Sequence, residues 1–170
     1  MTTALFIGRF QPFHNGHLEV VKKILEEFDD VVIAIGSAQE SGSAENPYSA
    51  QERQVMITSA LDEARISQSK YRIIWVEDVY NDWLWVSQVK KLANFKVVYS
   101  NNDWTIMCFR KADVEVVRHR MYNPLEYNGT RIRQLMAEGK EWRNLVPNAV
   151  ARLICEKGEN EDISDSITKL

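Results

Sequence analysis

Two of the three histidines in this 170-residue chain, His14 and His17, fall within one short stretch, "GRFQPFHNGH". Gly16 lies between them, Arg9 precedes them and an apolar helical pattern begins just downstream. Imidazole and guanidinium groups donate hydrogen bonds. At a strand-to-helix junction they would join the unpaired N–H groups and partial positive charge of the helix N-terminus. Donors converging in this way suit a phosphoryl group whose negative charge shifts during reaction. Gly16 would let backbone or substrate approach closely. A zinc site is the weaker reading, because no third protein ligand stands at a usual spacing and Cys108 and Cys155 are remote. Two partly exposed loop histidines are the plainest alternative, and that alternative suits a lone histidine better than a pair bracketing a glycine.

The elements that must position these residues alternate along the chain. Apolar runs predict strands at Ala4–Ile7, Val31–Ile35, Arg72–Val76, Lys96–Tyr99 and Val114–Val117. Between them, helical spacing predicts helices over about 16–28, with Asn15 as N-cap, over 50–64, over 82–92 and near 104–109. Two more are expected over 130–138 and 147–156, with Pro147 in the first turn of the last. The polar segment Gly36–Ala50, rich in Gly, Ser and Pro, reads as a mobile loop. Strands alternating with helices imply an α/β fold: a Rossmann-like, doubly wound, five-stranded parallel sheet with helices on both faces. Ligands of such sheets bind beyond the carboxyl ends of the strands, where "GRFQPFHNGH" would lie.

Composition narrows the class. The chain carries 45% hydrophobic and 26% charged residues, as an ordinary globular domain does. A net charge of −3 gives no electrostatic footprint for nucleic acid. No apolar run is long enough to span a membrane, and the N-terminus lacks a signal-peptide pattern. Two distant cysteines fit a reduced, cytoplasmic protein. Lys22–Lys23 and Lys90–Lys91 read as solvated helix faces.

The stretch resembles the His-x-Gly-His signature of nucleotidylyltransferases, with the Gly-Arg-Phe-Gln-Pro-x-His lead-in of archaeal-type nicotinamide-nucleotide adenylyltransferases. The likeness continues in "IGSAQ" (35–39), "NPYSAQER" (46–53), "YNGTRIR" (127–133) and "EWRNLVP" (141–147). It implies one nucleotidylyltransferase domain over residues 1–156, followed by a polar tail over 157–170. It further implies adenylyl transfer from ATP, accompanied by Mg2+, to nicotinamide mononucleotide (NMN), giving NAD and pyrophosphate. His14, His17, Arg9 and Arg133 would be the catalytic donors. Gly8, Phe10, Gly16, Gly36, Ser37, Asn102 and Thr130 would bind ATP, with Thr130 capping its helix. In "VEDVYNDWLWV" (76–86), Asp78, Asp82 and Trp85 would bind the nicotinamide nucleotide, Trp85 stacking on the pyridinium while Trp83 packs in the core.

Three positions depart from the family pattern: Asp82 stands for an asparagine, Asn101 for a glycine and Asn128 for a serine. An aspartate at 82 would accept from the carboxamide of nicotinamide and repel nicotinate, which predicts a preference for NMN over nicotinate mononucleotide. Phosphopantetheine or flavin mononucleotide as acceptor, a non-catalytic nucleotide sensor and a synthetase-like RNA-binding domain are the competing readings. The resemblance also implies a homo-oligomer, while the charge balance and the short apolar runs point to no nucleic-acid or membrane partner.

Overall fold

The computed structural model describes residues 2–119, 125 and 127–168, with side chains described as far as residue 158. Five strands form one sheet, parallel throughout: β1 (Thr3–Gly8), β2 (Asp30–Ile35), β3 (Tyr71–Trp75), β4 (Val97–Tyr99) and β5 (Glu115–Val117). Their spatial order is β3-β2-β1-β4-β5. Among the described residues, six α-helices accompany them: α1 (Asn15–Glu27), α2 (Ala50–Glu63), α3 (Asp82–Leu92), α4 (Asp103–Lys111), α5 (Gly129–Ala137) and α6 (Asn148–Thr168). The α6 helix therefore runs on through 157–168, where the sequence suggested only a polar tail.

Side chains of a strand alternate between faces. Ala4, Phe6, Val31, Ile33 and Ile35 point to a core completed by α1, α2, α5 and α6, including Val21, Ile24, Ile57, Leu61, Ile132 and Val150. Leu5, Ile7, Val32 and Ala34 point the other way, onto Val86 and Val89 of α3 and Phe109 of α4. Burial on both faces explains why β1 and β2 read as unbroken apolar runs. The order reverses between β1 and β4, so a crevice opens at their carboxyl ends.

Two helix starts differ from expectation. His14, not Asn15, caps α1, and Asn128, not Thr130, caps α5. The Asn128 Oδ1 accepts from the backbone N–H groups of Thr130 (2.9 Å) and Arg131 (3.4 Å). Asparagine caps a helix about as well as serine, so the departure at 128 preserves this function.

The loops after β1 and β2 are held from below by Arg53 of α2, which is 0% exposed. Its Nε donates to the Ser49 carbonyl, Nη1 to those of Arg9 (2.9 Å) and Gly36 (2.8 Å), and Nη2 to those of Ser37 and Glu40. All five guanidinium N–H donors therefore meet carbonyl oxygens. Phe10 and Ser37, each adjacent to a residue held by Arg53, adopt positive φ of 52° and 46°. Such backbone persists only where the surroundings over-determine it. Burial, then the charge of Arg9, draws the Arg53 pKa down to about 10, and the group stays charged at neutral pH.

Arg53→Met leaves a set of buried carbonyls without donors, each worth about 1–3 kcal/mol. Urea denaturation should therefore report a loss of at least ~3 kcal/mol. Arg53→Lys, which keeps the charge but offers three donors, should fall between the two.

Candidate active site

The α1 N-terminus carries an unusual capping box made of two imidazoles. The His14 Nδ1 accepts from the His17 backbone N–H (3.3 Å), and the His17 Nδ1 accepts from the His14 backbone N–H (3.2 Å). The rings stack with centroids 3.5 Å apart and planes 17° from parallel. Phe10 and Phe13 wall in His17 at centroid distances of 4.9 and 5.4 Å.

A ring nitrogen that accepts a hydrogen bond carries no proton. Both imidazoles are therefore fixed as the tautomer with hydrogen on Nε2. Burial, then the nearby His119, lowers the His14 pKa to about 3. Burial, then His14 and His119, also drives that of His17 well below the ordinary value. At neutral pH the pair consists of neutral donors.

Gly16 is required here by close approach: a Cβ would lie 2.9 Å from the Tyr127 Cβ and 3.1 Å from the His14 Nδ1.

Two cavities meet at His14 and His17. One, of about 240 Å³, is lined by Arg9, Phe10, Gln11, Asn128, Gly129, Thr130 and Arg133 besides the two histidines. Its wall holds two guanidiniums, the start of α5 and no carboxylate, so it favours an anion. Arg133 is aimed by its Nη1 donating to the Gln11 carbonyl (2.7 Å) and its Nη2 to the Thr130 Oγ1 (3.3 Å). Partial burial and the charge of Arg9 lower its pKa, the signature of two cations facing a common space. Arg9 Nη1 reaches the Asn46 Oδ1 at 3.4 Å.

The other cavity, of about 150 Å³, extends from the histidines along Phe6, Ile7, Gly8 and Gly16 to Ser100, Asn101, Asn102 and His119. It occupies the crevice between the ends of β1 and β4. Asn102 caps α4 through its Oδ1, which accepts from the Thr105 N–H at 2.9 Å.

Most of the residues expected at the site converge on these cavities: Gly8, Arg9, Phe10, His14, Gly16, His17, Asn102, Thr130 and Arg133. Gly36 and Ser37 line neither; they belong to the carbonyl set bound by Arg53.

The predicted acceptor residues line neither of these cavities. Asp78 is paired with Gln39, donating its N–H to the Gln39 Oε1 (3.0 Å) and accepting from the Gln39 Nε2 (3.4 Å). The Asp82 carboxylate accepts from two side chains of α4, the Trp104 Nε1 (3.2 Å) and the Lys111 Nζ (3.5 Å). Trp85 is 2% exposed against Trp104 and Phe109, whereas Trp83 is 70% exposed. Trp83 therefore lies at the surface and not in the core, where its alternation with Trp85 had suggested it. On a helix, however, alternate positions do not share a face, and the Val86–Val89 stripe turns Trp85 inward.

Three positions escaped the sequence. Gln11 is buried and pairs both amide atoms with the Tyr48 backbone, Nε2 to the carbonyl (2.7 Å) and Oε1 from the N–H (3.0 Å). Arg53 had a legible signal, since it precedes Met56, Ile57 and Ala60 at helical spacing on their buried face. His119 had none, standing between two arginines in the sequence with no motif around it.

A Rossmann-like sheet with a His-x-Gly-His turn at its switch point and a second phosphate-type helix start opposite defines a nucleotidylyltransferase-type protein. The chain belongs to the cytidylyltransferase-like family, whose model matches residues 5–135. The nicotinamide-nucleotide adenylyltransferase of Archaeoglobus fulgidus is 47% identical over 157 residues, covering 90% of each chain. That of Picrophilus torridus is 46% identical over 154 residues, again covering 90% of each. Within the family, the chain therefore belongs with the nicotinamide-nucleotide adenylyltransferases. The fold matches a bifunctional NMN adenylyltransferase/ADP ribose pyrophosphatase from Francisella tularensis with a TM-score of 0.75 at 23% identity. That match covers 99% of this chain and 57% of the other, so this chain spans a little over half the length of that protein.

Buried neutral histidines tie stability to pH. Their folded pKa values, about 3 for His14 and about 4 for His119, lie below the unfolded value near 6.5. Unfolding therefore takes up protons, and stability present above about pH 6.5 is lost as pH falls toward those folded values. Chemical denaturation at pH 7 and pH 5 should show a drop of up to about 2 kcal/mol per such histidine. His14→Asn should flatten the dependence.

Proposed function

We propose that this chain transfers the adenylyl group of ATP to nicotinamide mononucleotide, yielding NAD and pyrophosphate. The observation that carries this reading is the continuous cleft in which neutral imidazole donors stand between a cation-lined cavity and a cavity at the sheet's switch point. The names of the relatives supply the acceptor.

In the proposed reaction a phosphate oxygen of NMN forms a bond to the α-phosphorus of ATP. The bond from that phosphorus to the bridging oxygen of the β-phosphate breaks, and its electron pair leaves with pyrophosphate. The substrate phosphate is itself the nucleophile, so the chain needs no activated side chain. Its contribution is placement and charge stabilisation. The Nε2–H groups of His14 and His17 would donate to the non-bridging oxygens of the α-phosphate, where charge builds in the transition state. Arg9, Arg133 and the start of α5 would hold the departing β- and γ-phosphates. Because the imidazole protons sit on nitrogens already fixed by the capping box, no reorientation is needed as charge develops.

A divalent cation fits as part of the nucleotide rather than as a resident of the protein. Among the described residues, no cluster of His, Cys, Asp or Glu is arranged to hold a metal. A structural neighbour from Francisella tularensis was determined with AMP and a manganese ion. Mg2+ would accompany ATP here, held by phosphate oxygens and water. No helix among the described residues is long and apolar enough to cross a membrane. We place the enzyme in the cytoplasm on its reduced cysteines, and assign it a homo-oligomeric state by likeness to its family.

In an NAD-formation assay with ATP, Mg2+ and NMN, His17→Ala should lower kcat by roughly a hundredfold or more while NAD still binds. No turnover in the unaltered protein, with NAD binding intact, would reverse the reading in favour of a sensor. Asp82→Asn should leave the ratio of NMN to nicotinate mononucleotide turnover within about twofold. It should instead cost no more than about 1 kcal/mol of stability, because the pair with Lys111 is exposed.

A further inference from the structure

The chain has three histidines, and all three line the cavity at the β1–β4 crevice. Two belong to the α1 capping box. The third, His119, follows β5 and has no part in that box. A charge on it would be felt at both His14 and His17, so the three rings share one small space.

His119 is oriented from two sides. Its ring stands edge-on to Phe6, with centroids 5.5 Å apart and planes at 86°. Its Nδ1 lies 3.2 Å from the Asn101 side-chain Nδ2. With the amide in this orientation its N–H donates to Nδ1, the imidazole hydrogen resides on Nε2, and the Asn101 Oδ1 is left buried without a partner among the described residues. Burial lowers the His119 pKa to about 4, so the ring is a neutral donor at physiological pH.

Direction along the cleft decides what His119 faces. The cation-lined cavity, on the Arg9 and Arg133 side, suits the triphosphate. The end of the cleft remote from those cations is formed by Phe6, Ile7, Asn101 and His119. A nucleotide running through both cavities would therefore place its base there. The apolar walls suit a flat heteroaromatic ring, and a purine offers bare ring nitrogens as acceptors.

We propose that His119 is a specificity-determining residue for the nucleotide donor, its Nε2–H donating to a ring nitrogen of the purine seated between the ends of β1 and β4. Asn101 acts as a positioning residue that fixes the His119 tautomer. The inference rests on the ATP orientation proposed above.

The test compares ATP with 1-deaza-, 3-deaza- and 7-deaza-ATP, in which one ring nitrogen is replaced by C–H. The unaltered enzyme should lose roughly tenfold in kcat/KM with one of the three, the worth of one neutral hydrogen bond. His119→Phe, which keeps an aromatic ring but no donor, should lose about as much with ATP and nothing further with that analogue. Its KM for NMN should stay within twofold. His119→Gln retains an N–H and should recover part of the loss; it carries the same comparison if the phenylalanine variant does not fold. A deaza penalty that persists undiminished in these variants, with their KM for ATP unchanged, overturns the assignment. If His14→Ala and Asn102→Ala also leave ATP use unchanged, the ATP orientation itself fails; if they impair it while the His119 variants do not, only the His119 assignment fails.

Discussion

Five carbonyl oxygens converge on one buried guanidinium, and the catalytic end of the sheet depends on that convergence. Carbonyls at and just beyond the ends of β1 and β2 would otherwise be covered by the protein without a ladder partner. Arg53 satisfies them together and so fixes the path of both loops. The positive φ values at Phe10 and Ser37 are the local cost of that path. From Phe10 the chain turns inward to bring Gln11, Phe13 and His14 under cover. The position of the first imidazole thus traces back to a charged side chain on a helix that touches neither cavity.

The capping box links folding and chemistry through the same atoms. A serine or aspartate would cap α1 as well. Two histidines cap it with one ring nitrogen each and leave the other for the cleft. The tautomer is thereby set by helix formation, before any substrate arrives. Arg133 is treated similarly, since its Nη1 is held by the Gln11 carbonyl while the rest of the group faces the cavity. Gly129 permits this arrangement, for a Cβ there would lie 3.2 Å from both the Arg133 Nη1 and the Gln11 carbonyl oxygen.

The architecture was legible in the sequence because its signals are periodic. Runs such as "VVIAI" and the inward stripe of α1 follow directly from burial on two faces or one. The residues around the cation-lined cavity were legible because they are local, clustered in two short stretches about the starts of α1 and α5. What escaped depends on contacts distant in sequence. Gln11 and Tyr48 are 37 residues apart, and Arg53 and Arg9 are 44. His119 is brought to the site only by the strand order, which no local pattern specifies. The caps were misplaced by one or two residues because several adjacent side chains were chemically able to serve. Trp83 was misplaced in the core because its position on α3 depends on which face of the helix meets the sheet.

The backbone pairing between Gln11 and Tyr48 has a further consequence for the loop between β2 and α2. That loop is pinned near its start, where Arg53 binds the Ser37 and Glu40 carbonyls, and near its end, where a glutamine side chain imitates a strand partner for Tyr48. The residues between, 41–45, are exposed. A segment closed at both ends on one rigid body bears an entropy cost that grows only with the logarithm of its length, about 0.6 kcal/mol for each doubling. The chain can therefore lengthen or shorten there at little thermodynamic expense, while the two helix starts that face the cleft keep their places.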